Sequence, residues 1–251
     1  MTHRRTVLTS IGATLALTAL TQRAKGQSTR GTEAKEAIAI LGTGGLGKAL
    51  GKCWANLGHR IIYGSRTPAD ARVQSVVKET GSLASVLSPR DAAARANFVV
   101  FALPWKAVAG MVPMLGDLDG KVVIDPMNAI RMVAGYPEPP PEIQTSVGEQ
   151  LQAWLPKARV VKAFNTPAAN NIVNPERLDG PISIPLAGAD AEAKTRVAAL
   201  VSELGLEPVD TGPLIASRYL EGMMRLSFGY FLYSKMQRSF EFYLRPVPKS
   251  G

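Results

Sequence analysis

A doubly wound α/β fold with a mostly parallel sheet, extended by a small C-terminal α/β portion and a terminal helix, is the architecture this sequence predicts. Three observations carry the prediction. From residue 36 short apolar runs alternate with helical segments, the pattern of repeated βαβ units. Several of the runs are almost continuously apolar, as strands buried on both faces must be. A glycine-rich segment joins the first run to the first helix. The hydrophobic content of 46% is that of an ordinary globular core and excludes a disordered chain.

In chain order, residues 1–26 stand outside this fold. Arg4-Arg5, a mildly apolar stretch over Val7–Leu20 and then Ala24-Lys25-Gly26 make the pattern of an export signal. The stretch is shorter than the roughly 20 apolar residues a membrane span needs. His-Arg-Arg-Thr-Val-Leu has the form of a twin-arginine signal, with Val7 where Phe is usual. The alternatives are an ordinary secretory signal or a misplaced start ahead of a cytoplasmic enzyme. A twin-arginine route carries folded proteins, so a periplasmic or exported protein is expected. Residues 27–35 are a linker.

Strands are expected at Ala37–Leu41, Arg60–Gly64, Phe98–Leu103, Val122–Asp125, Val160–Phe164, Ile182–Leu186 and Leu206–Val209. Gly45–Asn56 is the first helix. Ser88-Pro89-Arg90-Asp91 opens another, with a serine cap, a proline in the first turn and an acid three residues on. Ser146-Val147-Gly148-Glu149 repeats the capping box ahead of a helix through Leu155, and Asp190 caps Ala191–Leu204. Four prolines within Ala134–Gln144 predict a loop over a cleft. After Gly212 the pattern turns helical and aromatic, a tail that packs back on the sheet or forms a homodimer. Residues 36–168 are the expected nucleotide-binding domain and 169–251 the C-terminal α/β extension and helical tail.

Gly42-Thr43-Gly44-Gly45-Leu46-Gly47 is G-x-G-x-x-G, and it lies between a strand and a helix as a Rossmann-type dinucleotide loop requires. Gly42 permits the tight turn, Gly44 lets a pyrophosphate approach the backbone, and Gly47 lets the helix sit against the strand. The amides at the helix start bind the phosphates, helped by the helix dipole. An NAD site places an acid about 20 residues on, to hold the ribose hydroxyls. Here that position reads Gly64-Ser65-Arg66-Thr67. Arg66 supplies a planar fork for a 2′-phosphate, and Ser65 and Thr67 add hydroxyls, so NADP(H) is the expected cofactor.

The remaining composition excludes much. Four of the nine net positive charges are Arg4, Arg5, Arg23 and Lys25, in a leader without acids, so the body is only moderately basic. No basic run or basic–aromatic stripe points to nucleic acid. The single cysteine, Cys53, excludes an intrachain disulfide and a cysteine metal cluster. Beyond the leader His59 is the one histidine, between the first helix and second strand, away from the binding end of the sheet. No Ser-His-Asp set, histidine metal set or Tyr-x-x-x-Lys pair is present, so no metal is expected.

With these motifs stand Ala102-Leu103-Pro104-Trp105, Ile124-Asp125-Pro126-Met127-Asn128, Val161-Lys162-Ala163-Phe164-Asn165-Thr166, and Gly212-Pro213-Leu214 followed by a helix with Arg218 and Glu221. Together they resemble the NADPH-dependent reductases of the deazaflavin coenzyme F420, over roughly residues 36–228. The wider set sharing that NADP-binding domain includes pyrroline-5-carboxylate reductases and membrane ferric reductases. Strand patterns continuing to Val209, in place of an all-helical region, favour the deazaflavin-reductase type.

The resemblance implies hydride transfer between NADPH and a deazaflavin, a flavin or a similar small-molecule acceptor, with coenzyme F420 or flavin as second substrate. It implies that Leu103, Pro104, Asp125 and Asn128 flank the ribose and nicotinamide. Asn165 and Thr166 then hold the carboxamide or the acceptor, in a pocket bounded by Trp105, Asn128, Asn165 and Thr166. The plainer readings are a packed indole at Trp105 and a strand-end turn at Asp125. The alternative function is a non-catalytic NADP(H)-binding redox sensor or partner subunit, which a filled pocket would favour.

Overall fold

The computed structural model describes residues 35–234 and 239–245. The export signal and most of the linker expected over residues 1–34 lie outside the described residues.

The elements run β1 (Ala37–Leu41), α1 (Gly45–Asn56), β2 (Arg60–Gly64), α2 (Ala71–Thr80), β3 (Ala84–Leu87), α3 (Pro89–Ala94) and β4 (Phe98–Phe101). They continue with α4 (Val108–Met111), β5 (Val122–Asp125), β6 (Arg131–Val133), β7 (Tyr136–Glu138), α5 (Val147–Trp154) and β8 (Arg159–Lys162). The last are α6 (Ala169–Val173), β9 (Ser183–Gly188), α7 (Ala191–Glu203), β10 (Glu207–Asp210) and α8 (Ser217–Tyr233). One eight-stranded sheet has the order β3-β2-β1-β4-β5-β8-β9-β10. Its pairs are parallel except β8–β9. The first six strands make the doubly wound Rossmann arrangement, in which strand order reverses beside β1 and opens a crevice at the carboxyl ends.

Strand β1 shows why the sheet holds. All five residues are buried, Ile38 and Ile40 in the core on one face, Ala39 and Leu41 on the other. The period of two sends alternate side chains to two helical layers. Trp54 of α1 fills the first layer, edge-on to Phe164, and donates from its ring nitrogen to the Leu200 carbonyl at 3.3 Å. Leu151 of α5 and Leu214 fill the second.

Two expectations change. The segment expected as a loop over a cleft carries a hairpin, β6 against β7, and Tyr136 packs on Gly229 of α8. Its turn is Ala134-Gly135, both left-handed (φ 49 and 83), which suits a two-residue hairpin. Pro137 faces Met132 at the position between the bonded pairs, where a missing N–H costs nothing. Strand β3 was not evident in the sequence, because Ala84–Leu87 is a half-exposed edge strand without an apolar run. Among the described residues no helix is long and apolar enough to cross a membrane.

Candidate functional site

The phosphate loop is shaped by three glycines with different constraints. Gly42 has φ 110, and a Cβ there would meet the Ala102 carbonyl oxygen at 2.1 Å. A Cβ at Gly47 would meet the Gly42 oxygen at 2.2 Å. Gly44 is different: it is extended (φ −73, ψ −176), and nothing lies within 4 Å of its would-be Cβ. No internal packing demands a glycine there, so the room it keeps suits a ligand's approach. Helices α2, α3, α5 and α7 are capped by Asp70, Ser88, Ser146 and Asp190. Helix α1 has no side-chain cap and no acid in its first turn. Its first amides are therefore available to an anion, as a pyrophosphate requires.

These groups line a cleft of about 630 Å³ at the carboxyl ends of β1, β2 and β4, with Ser65, Arg66, Thr67, Leu103 and Pro104 on its walls. Arg66 is exposed and makes no ion pair among the described residues. Arg72, at the start of α2, lines the same cleft. Ser65 Oγ accepts the Thr67 amide at 3.1 Å, which shapes the loop carrying Arg66. The acid in this cleft is Asp70, whose Oδ1 is occupied by the Arg72 amide at 2.8 Å.

A second cleft of about 400 Å³ begins on the other side of the loop, with Leu46, Pro126, Asn128, Asn165 and Thr166 on one wall. Phe228 and Phe231 of α8, with Phe240 and Glu241 of the terminal segment, form another. Phe164, buried just after β8, has φ 60. Such a conformation costs a bulky residue about 1–3 kcal/mol, and here it turns the chain into Asn165. The Asn165 amide nitrogen donates to the Leu220 carbonyl at 2.9 Å and to Asn128 Oδ1 at 3.1 Å. Asn128 Nδ2 returns a bond to the Asn165 carbonyl at 2.8 Å. With Nδ2 so committed, Asn165 Oδ1 is buried without a partner.

Beneath this cleft lies a cluster of buried charges. Lys162 is fully buried, its Nζ 2.8 Å from Asp125 Oδ2, 2.8 Å from Glu221 Oε1 and 2.8 Å from the Met127 carbonyl. Glu221 Oε1 also accepts the Val147 amide, and Asp125 Oδ1 the Met127 amide. Burial works against the Lys162 charge, but the two carboxylates outweigh it and hold its pKa above the ordinary lysine value. Burial pushes Glu221 above the usual carboxylate range, offset in part by Lys162. The cluster ties β5, β8, α5 and α8 together.

Residues 37–129 match the family described as NADP oxidoreductase, coenzyme F420-dependent. The chain is 30% identical to a protein of Arthrobacter sp. FB24 assigned by inference as an F420-dependent NADP-reductase, whose crystal structure superposes with a TM-score of 0.71. The match covers 78% of this chain and 93% of that one. The chain belongs to the coenzyme F420-dependent NADP oxidoreductase family. A Sinorhizobium meliloti protein of hypothetical status is 33% identical over 73% of this chain and 88% of its own, with a TM-score of 0.65. The human metalloreductase STEAP2 is 25% identical over 75% of this chain, and the chain spans 36% of that relative's length. A reductive aminase from Aspergillus terreus in complex with NADPH and ethyl-5-oxohexanoate, 20% identical with a TM-score of 0.58, matches over 80% of this chain and 63% of its own and shares the fold alone. The family is one of NADP-dependent oxidoreductases, which accords with the NADP(H)-type cleft.

Within this family frame the expected residues divide. Gly42, Thr43, Gly44, Ser65, Arg66, Thr67, Leu103 and Pro104 line the nucleotide cleft, and Asn128, Asn165, Thr166 and also Leu46 the second one. Gly47 lies behind the loop, and Gly45 faces a groove between α1, α2 and α6. Two expectations are corrected. Asp125, expected beside the ribose, is fully buried, because its carboxylate is drawn inward by Lys162. Trp105, expected in the acceptor pocket, stacks on Trp154 (centroids 5.2 Å, planes 4° apart) away from both clefts. His59 is structural: its ring bonds the Glu36 amide and Glu203. Burial raises the pKa of the Cys53 thiol and so disfavours its thiolate. Arg72, Lys162, Glu221 and Glu241 were missed as site residues. Lys162 carried a signal, a lysine inside the apolar run Val160–Phe164; Glu241 carried none.

Proposed function

We propose that the chain transfers hydride between NADPH and a planar deazaflavin, flavin or similar acceptor. The observation that carries this reading is the adjacency of two open clefts on one loop: Gly42–Gly44 line the first and Leu46 the second. In this reading the α1 amides hold the pyrophosphate, and Arg66 and Arg72 clamp the 2′-phosphate. The bound nucleotide supplies the hydride through its nicotinamide. Asn165 Oδ1, left without a donor by its own side chain, accepts an N–H from the ring system placed there. Phe228, Phe231 and Phe240 give a planar acceptor an apolar wall and exclude water. Positioning is most of what such a reaction asks of the protein. The 36–168 portion then binds nucleotide, and 169–251 completes the acceptor side.

The test is loss of reduced-nicotinamide absorbance with flavin, deazaflavin, ferric chelate and quinone acceptors. Turnover with a flavin or deazaflavin is the expected outcome. Tight NADPH binding without turnover on any acceptor would favour the sensor reading. We also propose that residues 1–26 direct twin-arginine export. Arg4→Lys with Arg5→Lys should then retain the protein inside the cell, and unchanged localisation would refute that route.

A further inference from the structure

We propose that Glu241 is the proton donor of the acceptor cleft, so that the acceptor is one that takes up a proton with its hydride. The placement of Glu241 is built by several independent contacts. Its Oε1 accepts the Ala168 amide at 3.0 Å and the Asn171 side-chain amide. Its segment is fastened to β9, the Phe242 carbonyl accepting the Ser183 amide at 2.8 Å and the Leu244 amide donating to Ser183 Oγ at 2.9 Å. Ser227 of α8 donates to the Phe240 carbonyl at 3.2 Å. With Oε1 held twice, Oε2 is the atom left over. It is buried without a partner at the wall of a cleft lined by Phe164, Phe228, Phe231 and Phe240. A carboxylate oxygen in that setting is unsatisfied, whereas a carboxylic O–H has a use once an acceptor's nitrogen or oxygen is beside it.

Electrostatics agree with the geometry. Burial raises the Glu241 pKa above the ordinary carboxylate value, and the Ala168 and Asn171 donors offset that only in part. Of the elements beside it, α8 carries Arg225 and Tyr230, the latter against Phe240, and the terminal segment carries Tyr243 and Arg245, the guanidinium lying 5.8 Å from the Tyr243 ring centre. Arg218 and Glu221 of α8 are engaged with Glu149 and Lys162. Residues 163–173 carry no ionisable group. Among the described residues no ion pair holds Glu241 in its ionised form.

The inference rests on the hydride-transfer reading and narrows it. As a nicotinamide C–H bond breaks, the hydride would bond to the central ring of the acceptor, forming C–H on a deazaflavin or N–H on a flavin, and a π electron pair would shift to a conjugated nitrogen or oxygen. That atom takes the proton from Glu241 Oε2 as the O–H bond breaks, and water returns a proton to the carboxylate. A ferric chelate takes electrons without a proton and has no need of Glu241.

The experiment uses Glu241→Gln, whose carbonyl oxygen keeps the Ala168 and Asn171 bonds but which cannot give a proton. Turnover of a flavin or deazaflavin acceptor should fall by about 10²–10⁴-fold, with NADPH affinity unchanged. The wild-type rate should decline as pH rises through the raised Glu241 value, and the variant should lose that decline. Asn171→Ala removes a donor that favours the ionised form, so the decline of its rate should move to higher pH whatever its rate at low pH. Infrared titration of the ligand-free protein should show a carboxylic C=O band that Glu241→Gln abolishes. An unchanged rate and pH profile in Glu241→Gln, or an Asn171→Ala profile that does not move, would overturn the assignment. If the wild type turns over no acceptor, the hydride-transfer reading fails by itself. The infrared titration then judges Glu241 alone, and a Glu241 carboxylic band that disappears no higher in pH than that of an ordinary glutamate would sink the proton-donor role.

Discussion

The two clefts are built in opposite ways. The glycine-loop cleft draws most of its lining from one short stretch, residues 42–73, with a second contribution after β4. Its polar groups are exposed cations and free amides, and its shape follows from local backbone geometry at Gly42, Gly44 and Gly47. The second cleft gathers residues from α1, the turns after β5 and β8, α8 and residues 239–241. Asn165 and Thr166 in its wall are buried, and the turns that carry them are anchored by the Lys162–Asp125–Glu221 cluster. A site that binds a charged ligand in water can be local, because exposed cations need little support. A site that holds polar atoms in an apolar wall must be propped from several elements, since each buried group needs its partners.

The largest effect should come from breaking that support. Lys162→Met leaves two buried carboxyls without their cation, and unfolding in urea should show a loss of about 3–5 kcal/mol. Glu221, already raised by burial, then folds more readily protonated than charged. The variant should therefore regain stability as pH falls toward the unfolded carboxylate value of about 4.3 and lose it as pH rises. Equal stability at all pH values would mean that the cluster is solvated.

Next, the glycines of the nucleotide cleft separate fold from ligand. Gly44→Val should leave the melting temperature nearly unchanged, because its Cβ meets nothing, yet weaken NADPH binding by about 100-fold, or roughly 3 kcal/mol. Gly42→Ala should do the reverse and lower stability first, since its Cβ collides with the Ala102 carbonyl. A smaller effect is expected of Arg66→Glu. Losing a charged hydrogen bond of about 1.5–3 kcal/mol should weaken NADPH binding by about 10–100-fold while NADH binding changes little. Equal losses in fluorescence titrations would show that Arg66 does not read the 2′-phosphate.

The smallest effect should be at the exposed pair that joins α5 to α8. Arg218 makes two 2.8 Å bonds to Glu149 and holds its carboxyl below the ordinary range. Because Glu149 ionises more readily when folded, the pair contributes above the ordinary carboxylate pH and is lost as pH falls through the lowered value. Arg218→Ala should leave the urea-unfolding midpoint at neutral pH nearly unchanged, because solvent screens an exposed pair. A larger loss would mean that the α5–α8 side depends on surface pairing as well as on its buried cluster.

How much was legible in the sequence follows the same division. The bounds of α1 and β2, the caps at Ser88, Ser146 and Asp190, and the phosphate loop with Arg66 were readable from residues 36–66 and from short capping patterns. These features depend on spacing and backbone chemistry within a few residues, which a linear reading can see. Trp105 and Asp125 misled because each stands beside a strand end, where either a site or a packing role is possible. The choice was made by partners far away in sequence, Trp154 for the indole and Lys162 for the carboxylate.

By itself, then, the sequence determined the doubly wound sheet and an NADP(H)-type nucleotide cleft, because both rest on local periodicity and on a contiguous loop. Only the tertiary structure decided the second cleft. Burial of Lys162 between Asp125 and Glu221, the free oxygen of Asn165 and the seat of Glu241 arise from contacts between segments 37 to 73 residues apart along the chain, as in the Asn128–Asn165 and Ala168–Glu241 pairs. Their energies come from desolvation, which no residue carries until the fold removes the water around it.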